Sequence, residues 1–221
     1  MAINPQRRQK QLAKKKAKRK SSVTAKKMAL FGNLLSHSVI EKAPIHECFV
    51  PDELFSNGIG TVVISRKMPN GKIGVGFFML DTFCLGVKNA DFQELSPSDY
   101  QQLCDDIERN ENLQPSSPAY ARKLVEECAD YAKSIGMEAH SDYKKAKKIF
   151  GHINTEDCSE EFVFGRDGKP FYVNGPYDTP EKIRKIINKL TKICGPDGFH
   201  YLMASEPFDD EENDVDFKTL R

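Results

Sequence analysis

Ile59-Gly-Thr-Val-Val-Ile-Ser-Arg66, the link Lys67-Met-Pro-Asn-Gly71, and Lys72-Ile-Gly-Val-Gly-Phe-Phe-Met-Leu80 make up the stretch that organises the rest of the chain. Asn70-Gly71 between two apolar runs predicts a β-hairpin with a type I′ turn, whose two central residues both take positive φ. Ile73 to Leu80 is the longest apolar run in the sequence, with nothing polar before Asp81. A strand apolar on both faces needs cover on both faces. The run is therefore expected inside a sheet and not at its edge.

Around this centre the elements alternate in kind. Ile45 to Val50 reads as a strand, followed by a helical turn from Pro51 to Phe55 that Gly58 closes. Ser96-Pro97-Ser98-Asp99 opens a helix, with Ser96 as N-cap, Pro97 at the first helical position and Asp99 in a capping-box role. After a loop at Gln114 to Ser116, Ser117-Pro118 repeats that start. Ala121, Leu124, Val125, Cys128, Ala132 and Ile135 then fall on one helical face, with Gly136 as the stop. A third helix is expected from Asp142 to Phe150, capped by Ser141 and ended by Gly151. A second hairpin over Glu161 to Asn174 should turn at Asp167-Gly168. Thr179-Pro180 starts a fourth helix with Ile183, Ile186, Ile187, Leu190 and Ile193 at helical spacing, and Phe199 to Met203 reads as a closing strand. Strands and helices in this order predict an α+β fold, with a mainly antiparallel sheet built on two hairpins and packed by about four helices. The expected organisation is a basic tail over 1–40, one domain over 41–205, and an acidic tail over 206–221.

The runs Ile45-His46-Glu47-Cys48, Phe83-Cys84-Leu85-Gly86-Val87-Lys88 and Phe164-Gly165-Arg166-Asp167-Gly168-Lys169-Pro170-Phe171 resemble segments of an uncharacterised bacterial protein family, over roughly residues 44–202. The resemblance implies a bacterial cytoplasmic setting. It implies no activity and assigns no functional residue.

Charge is distributed unevenly. The net charge is +1, yet residues 1–40 hold only basic charges: Arg7, Arg8, Lys10, Lys14, Lys15, Lys16, Lys18, Arg19, Lys20, Lys26 and Lys27. From Glu206 onward acidic residues dominate, with Lys218 and Arg221 the exceptions. So many like charges among so few large apolar residues predict a segment over 2–27 that is disordered when free and binds phosphates. A second basic group, Lys144, Lys145, Lys147 and Lys148, lies on the expected third helix beside Tyr143 and either extends that surface or forms a solvated face. The acidic and basic tails can also contact each other. Six cysteines without a C-x-x-C pair, no secretory segment and no membrane-length apolar run are read as reduced thiols in the cytoplasm, away from membranes.

Reactive side chains are fewer. Asp81 ends the apolar strand, where a carboxylate either caps the next turn or is partly buried with a raised pKa. Lys88 can neutralise it, and His140 is a further acid–base candidate. Alternation places His46 and Cys48 on one strand face, where Asp81 or Cys84 could complete a soft metal site; Cys48 as a small core hydrophobe is the commoner outcome. Phosphate-loop, nucleophile-elbow and dinucleotide fingerprints are absent, and no cofactor is expected. The expected function is nucleic-acid binding, with RNA or the ribosome as partner, through the basic tail. The alternative is a hydrolase or nuclease with its site around Asp81, Lys88, His46 and His140.

Overall fold

The computed structural model describes residues 39–203. Residues 1–38 and 204–221, including the basic residues from Arg7 to Lys20, lie outside the described residues, whereas Ile40, expected in the basic tail, is buried in the main core. The fold is α+β, with a five-stranded antiparallel sheet in the order β4-β3-β2-β1-β5. The strands are β1 (Ile45–Pro51), β2 (Ile59–Lys67), β3 (Ile73–Asp81), β4 (Gly86–Leu95) and β5 (Leu113–Pro115), with the one-turn helix α1 (Leu54–Asn57) between β1 and β2. The apolar β3 is interior, paired with β2 from Ile59↔Asp81 to Lys67↔Ile73 and with β4 on its other side. The segment expected as a loop at 114–116 instead supplies β5, whose Val50↔Gln114 pairing extends the sheet beyond β1.

Both faces of the sheet are covered, as the composition of β3 requires. On one face Val62, Ile64, Phe78 and Leu80 pack against helix α3 (Pro118–Ser134) through Leu124, Val125 and Cys128. Helix α4 (Tyr143–Ala146) and the 3-10 turn Lys147–Phe150 close the same face. On the other face Val63, Ile73 and Val75 meet Tyr100 and Cys104 of helix α2 (Pro97–Glu108). The Tyr100 hydroxyl donates to Glu47 Oε2 at 2.9 Å and lies 3.0 Å from Ser65 Oγ, so α2 is tied to β1 and β2 by one polar cluster. At Gly76 an added Cβ would stand 2.8 Å from Ile149 Cγ2, so only glycine lets the 3-10 turn approach the sheet this closely.

Helix starts follow the sequence. Ser96 and Ser117 each accept a hydrogen bond from the amide three residues on, at 3.1 Å, and Thr179 does the same for helix α5 (Pro180–Cys194) at 3.3 Å. Asp99 reaches back to the Ser96 hydroxyl at 2.7 Å.

Three expectations are corrected. The first hairpin is present, but Asn70 keeps a negative φ and only Gly71 is left-handed, at φ 77°. Gly71 N donates to Met68 O and Met68 N to Lys72 O, which makes a three-residue loop ending in a glycine bulge. Pro69 locks its own φ and suits the first central position of a type I turn, so type I wins over type I′. Asp167 and Gly168 do form a type I′ turn, with φ 53° and 77°, but the second hairpin reduces to one bridge, Arg166↔Lys169. Beyond it β6 (Phe171–Val173) pairs in parallel with β7 (His200–Leu202). The third helix is split, and Asp142, not Ser141, precedes it without a side-chain cap. Tyr143, Ala146 and Ile149 are buried at a spacing of three, which a 3-10 turn keeps in line at its end.

A second core forms where Ile183, Ile186 and Leu190 of α5 meet Ala132, Ile135, Met137, Tyr172 and Phe199. It fixes α5 beside the end of α3, with the lysines of α5 facing outward.

Candidate functional site

The site begins at the C-terminal end of β3. Asp81 Oδ1 accepts from the backbone amides of Phe83 at 3.1 Å and Cys84 at 2.8 Å, which makes it the cap of the turn into β4. It is also buried, and burial raises its pKa above the ordinary carboxylate value, while the turn amides and Lys88 oppose the rise. Asp81 and Lys88 share the lining of a cleft of about 300 Å³ with Asn57, Phe83, Phe171 and Asn174. Asp81 and Lys88 thus share a wall of the cleft without forming an ion pair. The carboxylate is occupied by its own backbone.

Lys88 also lines a second cleft of about 350 Å³, which His140 shares. His140 N donates to Val87 O at 2.9 Å, pinning the segment after α3 against β4. Its Nδ1 accepts from Asp142 N at 3.3 Å and lies 3.8 Å from Asp142 Oδ2. His140 therefore faces a cleft that Asp81 does not line.

The remaining candidates are elsewhere. His46 lies in the β1 region paired with the far end of β2, roughly 20 Å or more from Asp81 by strand rise. There its ring is 5.5 Å from Tyr100 and its Nε2 is 3.6 Å from Glu47 Oε2. Cys48 is buried in the main core and its thiol is pushed up to about 12 by burial. Cys84 belongs to the second core, and burial raises its pKa too. Two protonated thiols in separate cores are poor metal ligands. Among the described residues no group of three or more His, Cys, Asp or Glu is placed to hold a metal ion.

What the structure gathers is lysine. The cleft beside His140 is walled by Lys182, Lys185 and Lys189 of α5 as well as Lys88, over a floor of Leu85, Val87, Met137 and Ile186. An adjoining cleft of about 680 Å³ is lined by Lys133, Lys144 and Lys147. The two clefts meet at Met137, Glu138 and His140, which line both. Only Asp130 and Glu138 add acidic groups to these linings. Lys182 Nζ is held by Asp178 Oδ1 at 2.6 Å, and Lys147 Nζ stands 5.5 Å over the Tyr143 ring. Lys88, Lys185 and Lys189 make no hydrogen bond or ion pair with a described residue. Of the basic group expected on the third helix, Lys144 and Lys147 face the cleft and Lys145 and Lys148 do not.

Sequence reading missed Lys182, Lys185 and Lys189. Their signal was their spacing of three and four on the helix that also carries Ile183, Ile186 and Leu190, a basic border along an apolar stripe. Walls of one sign concentrate potential and draw anions.

No family model, curated protein or solved structure matches the chain. The fold and the site by themselves define an α+β protein with a lysine-lined double cleft. No helix among the described residues is long and apolar enough to cross a membrane.

Proposed function

We propose that this protein binds nucleic acid, RNA or the ribosome, through phosphate contacts made by its basic N-terminal segment and by the lysine-lined double cleft. The observation that carries the reading is the joining of the two clefts at Met137, Glu138 and His140, which makes one surface of lysines drawn from β4, α3, α4 and α5. Such a surface follows a phosphate backbone without reading its sequence. Asp130 and Glu138 interrupt it and favour a partner that contacts the surface at spaced points, as a folded RNA does. The setting we propose is the bacterial cytoplasm, whose reducing conditions suit six cysteines free of disulfides.

Fluorescence anisotropy with a labelled RNA hairpin tests the reading. The full chain should bind at low salt, and Lys144→Gln with Lys147→Gln, or Lys185→Gln with Lys189→Gln, should each weaken binding several-fold. Unchanged affinity in both double variants would reject the double cleft as the binding surface.

A further inference from the structure

The cleft beside α5 has a feature that backbone binding does not use. Its floor of Leu85, Met137 and Ile186 is apolar, whereas Lys185 and Lys189 at its rim are exposed and Lys88 is half-buried. Its volume of about 350 Å³ is at the small end of the range for small-molecule sites, about 300–1,000 Å³. A bare phosphate would have no use for the floor, and an apolar ligand would have no use for three ammonium groups. Lys185 and Lys189 are also like charges four apart on one helix, an arrangement that disfavours the helix until an anion neutralises it.

We propose that this cleft is a nucleotide pocket, in which the base of a nucleoside phosphate lies on Leu85, Met137 and Ile186 and its phosphates engage Lys88, Lys185 and Lys189. The proposal rests on the reading of this face as phosphate-binding and adds to it the class of ligand. The chemistry is shared by a free nucleotide and by the phosphorylated end of an RNA strand.

Titration calorimetry on the full chain at low salt, without divalent metal, tests it with ATP, inorganic triphosphate and adenosine. ATP should bind at least tenfold more tightly than either of the others, because each of them can engage only the lysines or only the floor. Lys185→Gln with Lys189→Gln should weaken ATP at least tenfold, whereas Lys67→Gln with Lys72→Gln, beside the first hairpin turn and in neither cleft, should leave it unchanged; all four lysines are exposed, and an unaltered thermal melt checks the fold. Triphosphate binding as tightly as ATP, no ATP binding, or an unaffected Lys185/Lys189 double variant would each overturn the pocket.

Two short RNAs, one with a 5′-triphosphate and one with a 5′-hydroxyl, separate the sources. Stronger competition with ATP by the triphosphate strand supports the strand end, and equal competition supports the free nucleotide. RNA binding without any nucleotide binding overturns the pocket alone. Nucleotide binding without RNA binding overturns the wider reading and leaves the pocket standing.

Discussion

The backbone amide of His140 donates to the carbonyl of Val87 at 2.9 Å, and this hydrogen bond brings the two lysine clefts to a common wall. Val87 precedes Lys88 on β4, and His140 leads into the turn that carries Lys144 and Lys147. The hydrogen bond uses only main-chain atoms. His140→Ala should therefore preserve the join and lower RNA affinity by no more than about threefold. A loss beyond tenfold, measured by anisotropy, would make His140 a binding residue.

Asp81 gives a pH prediction. Its folded pKa is raised by burial, so the fold favours the protonated form. That contribution is present below the ordinary carboxylate pKa and is lost as pH rises through the folded value. Asp81→Asn keeps an acceptor for Phe83 N and Cys84 N without the charge. Its stability relative to wild type should improve as pH rises from about 4 to 7. Parallel urea midpoints across that range would contradict the assignment, and Asp81→Ala should cost about 1–2 kcal/mol near pH 4, where the turn amides lose their cap, and less toward pH 7, where the buried charge is removed as well.

Gly71 tests the turn. A Cβ there would meet nothing within 4 Å, so any loss on substitution comes from the backbone at φ 77°. Gly71→Val should cost about 1–2 kcal/mol in a urea melt. Gly71→Asn should cost less, since Asn tolerates the left-handed region.

The buried guanidinium of Arg66 donates to the carbonyls of Ile149 at 2.6 Å and Phe150 at 2.8 Å, and also to that of Ala43. It joins β2 to the 3-10 turn Lys147–Phe150. Arg66→Met should cost about 3 kcal/mol or more, because the carbonyls are left unpaired away from water. Wild-type stability in this variant would show that water replaces the guanidinium.

Much of this fold could be read locally. The Ser-Pro and Thr-Pro helix starts, the glycine stops and the two-faced apolar strand are each set by neighbouring residues, and the structure has all of them. The parallel pairing of β6 with β7 could not, since Phe171 and His200 are 29 positions apart and nothing near Asp167-Gly168 shows that the hairpin stops at one bridge. For the site, Lys88 and His140 line the cleft beside α5, whereas Asp81 lines a different one. That Lys88 stands between clefts, and that Lys185 and Lys189 join it, follows from how the second core seats α5. Spacing along one helix cannot show that.

The acidic segment from Asp209 to Asp216 offers a competing anion for the same cations. Truncation after Ser205 should tighten RNA binding at low salt, with the difference shrinking as salt rises, because exposed charge interactions are screened. Equal affinities of truncated and full-length protein at low salt would leave the segment a solubilising tail.

Salt dependence of RNA affinity is the most direct measurement of the central claim. Wild type and the variant with Lys144, Lys147, Lys185 and Lys189 all changed to Gln are titrated with one single-stranded RNA from low to moderate salt. On a single strand each lysine–phosphate pair contributes about 0.7 to the steepness of log K against log salt. With all four pairs removed, the variant is expected to bind more weakly, with a slope shallower by about 3 and the remainder coming from the N-terminal segment and the cleft lysines left in place, Lys88 and Lys133. Identical slopes and affinities for the two proteins would contradict the claim that the folded body carries a phosphate-binding face.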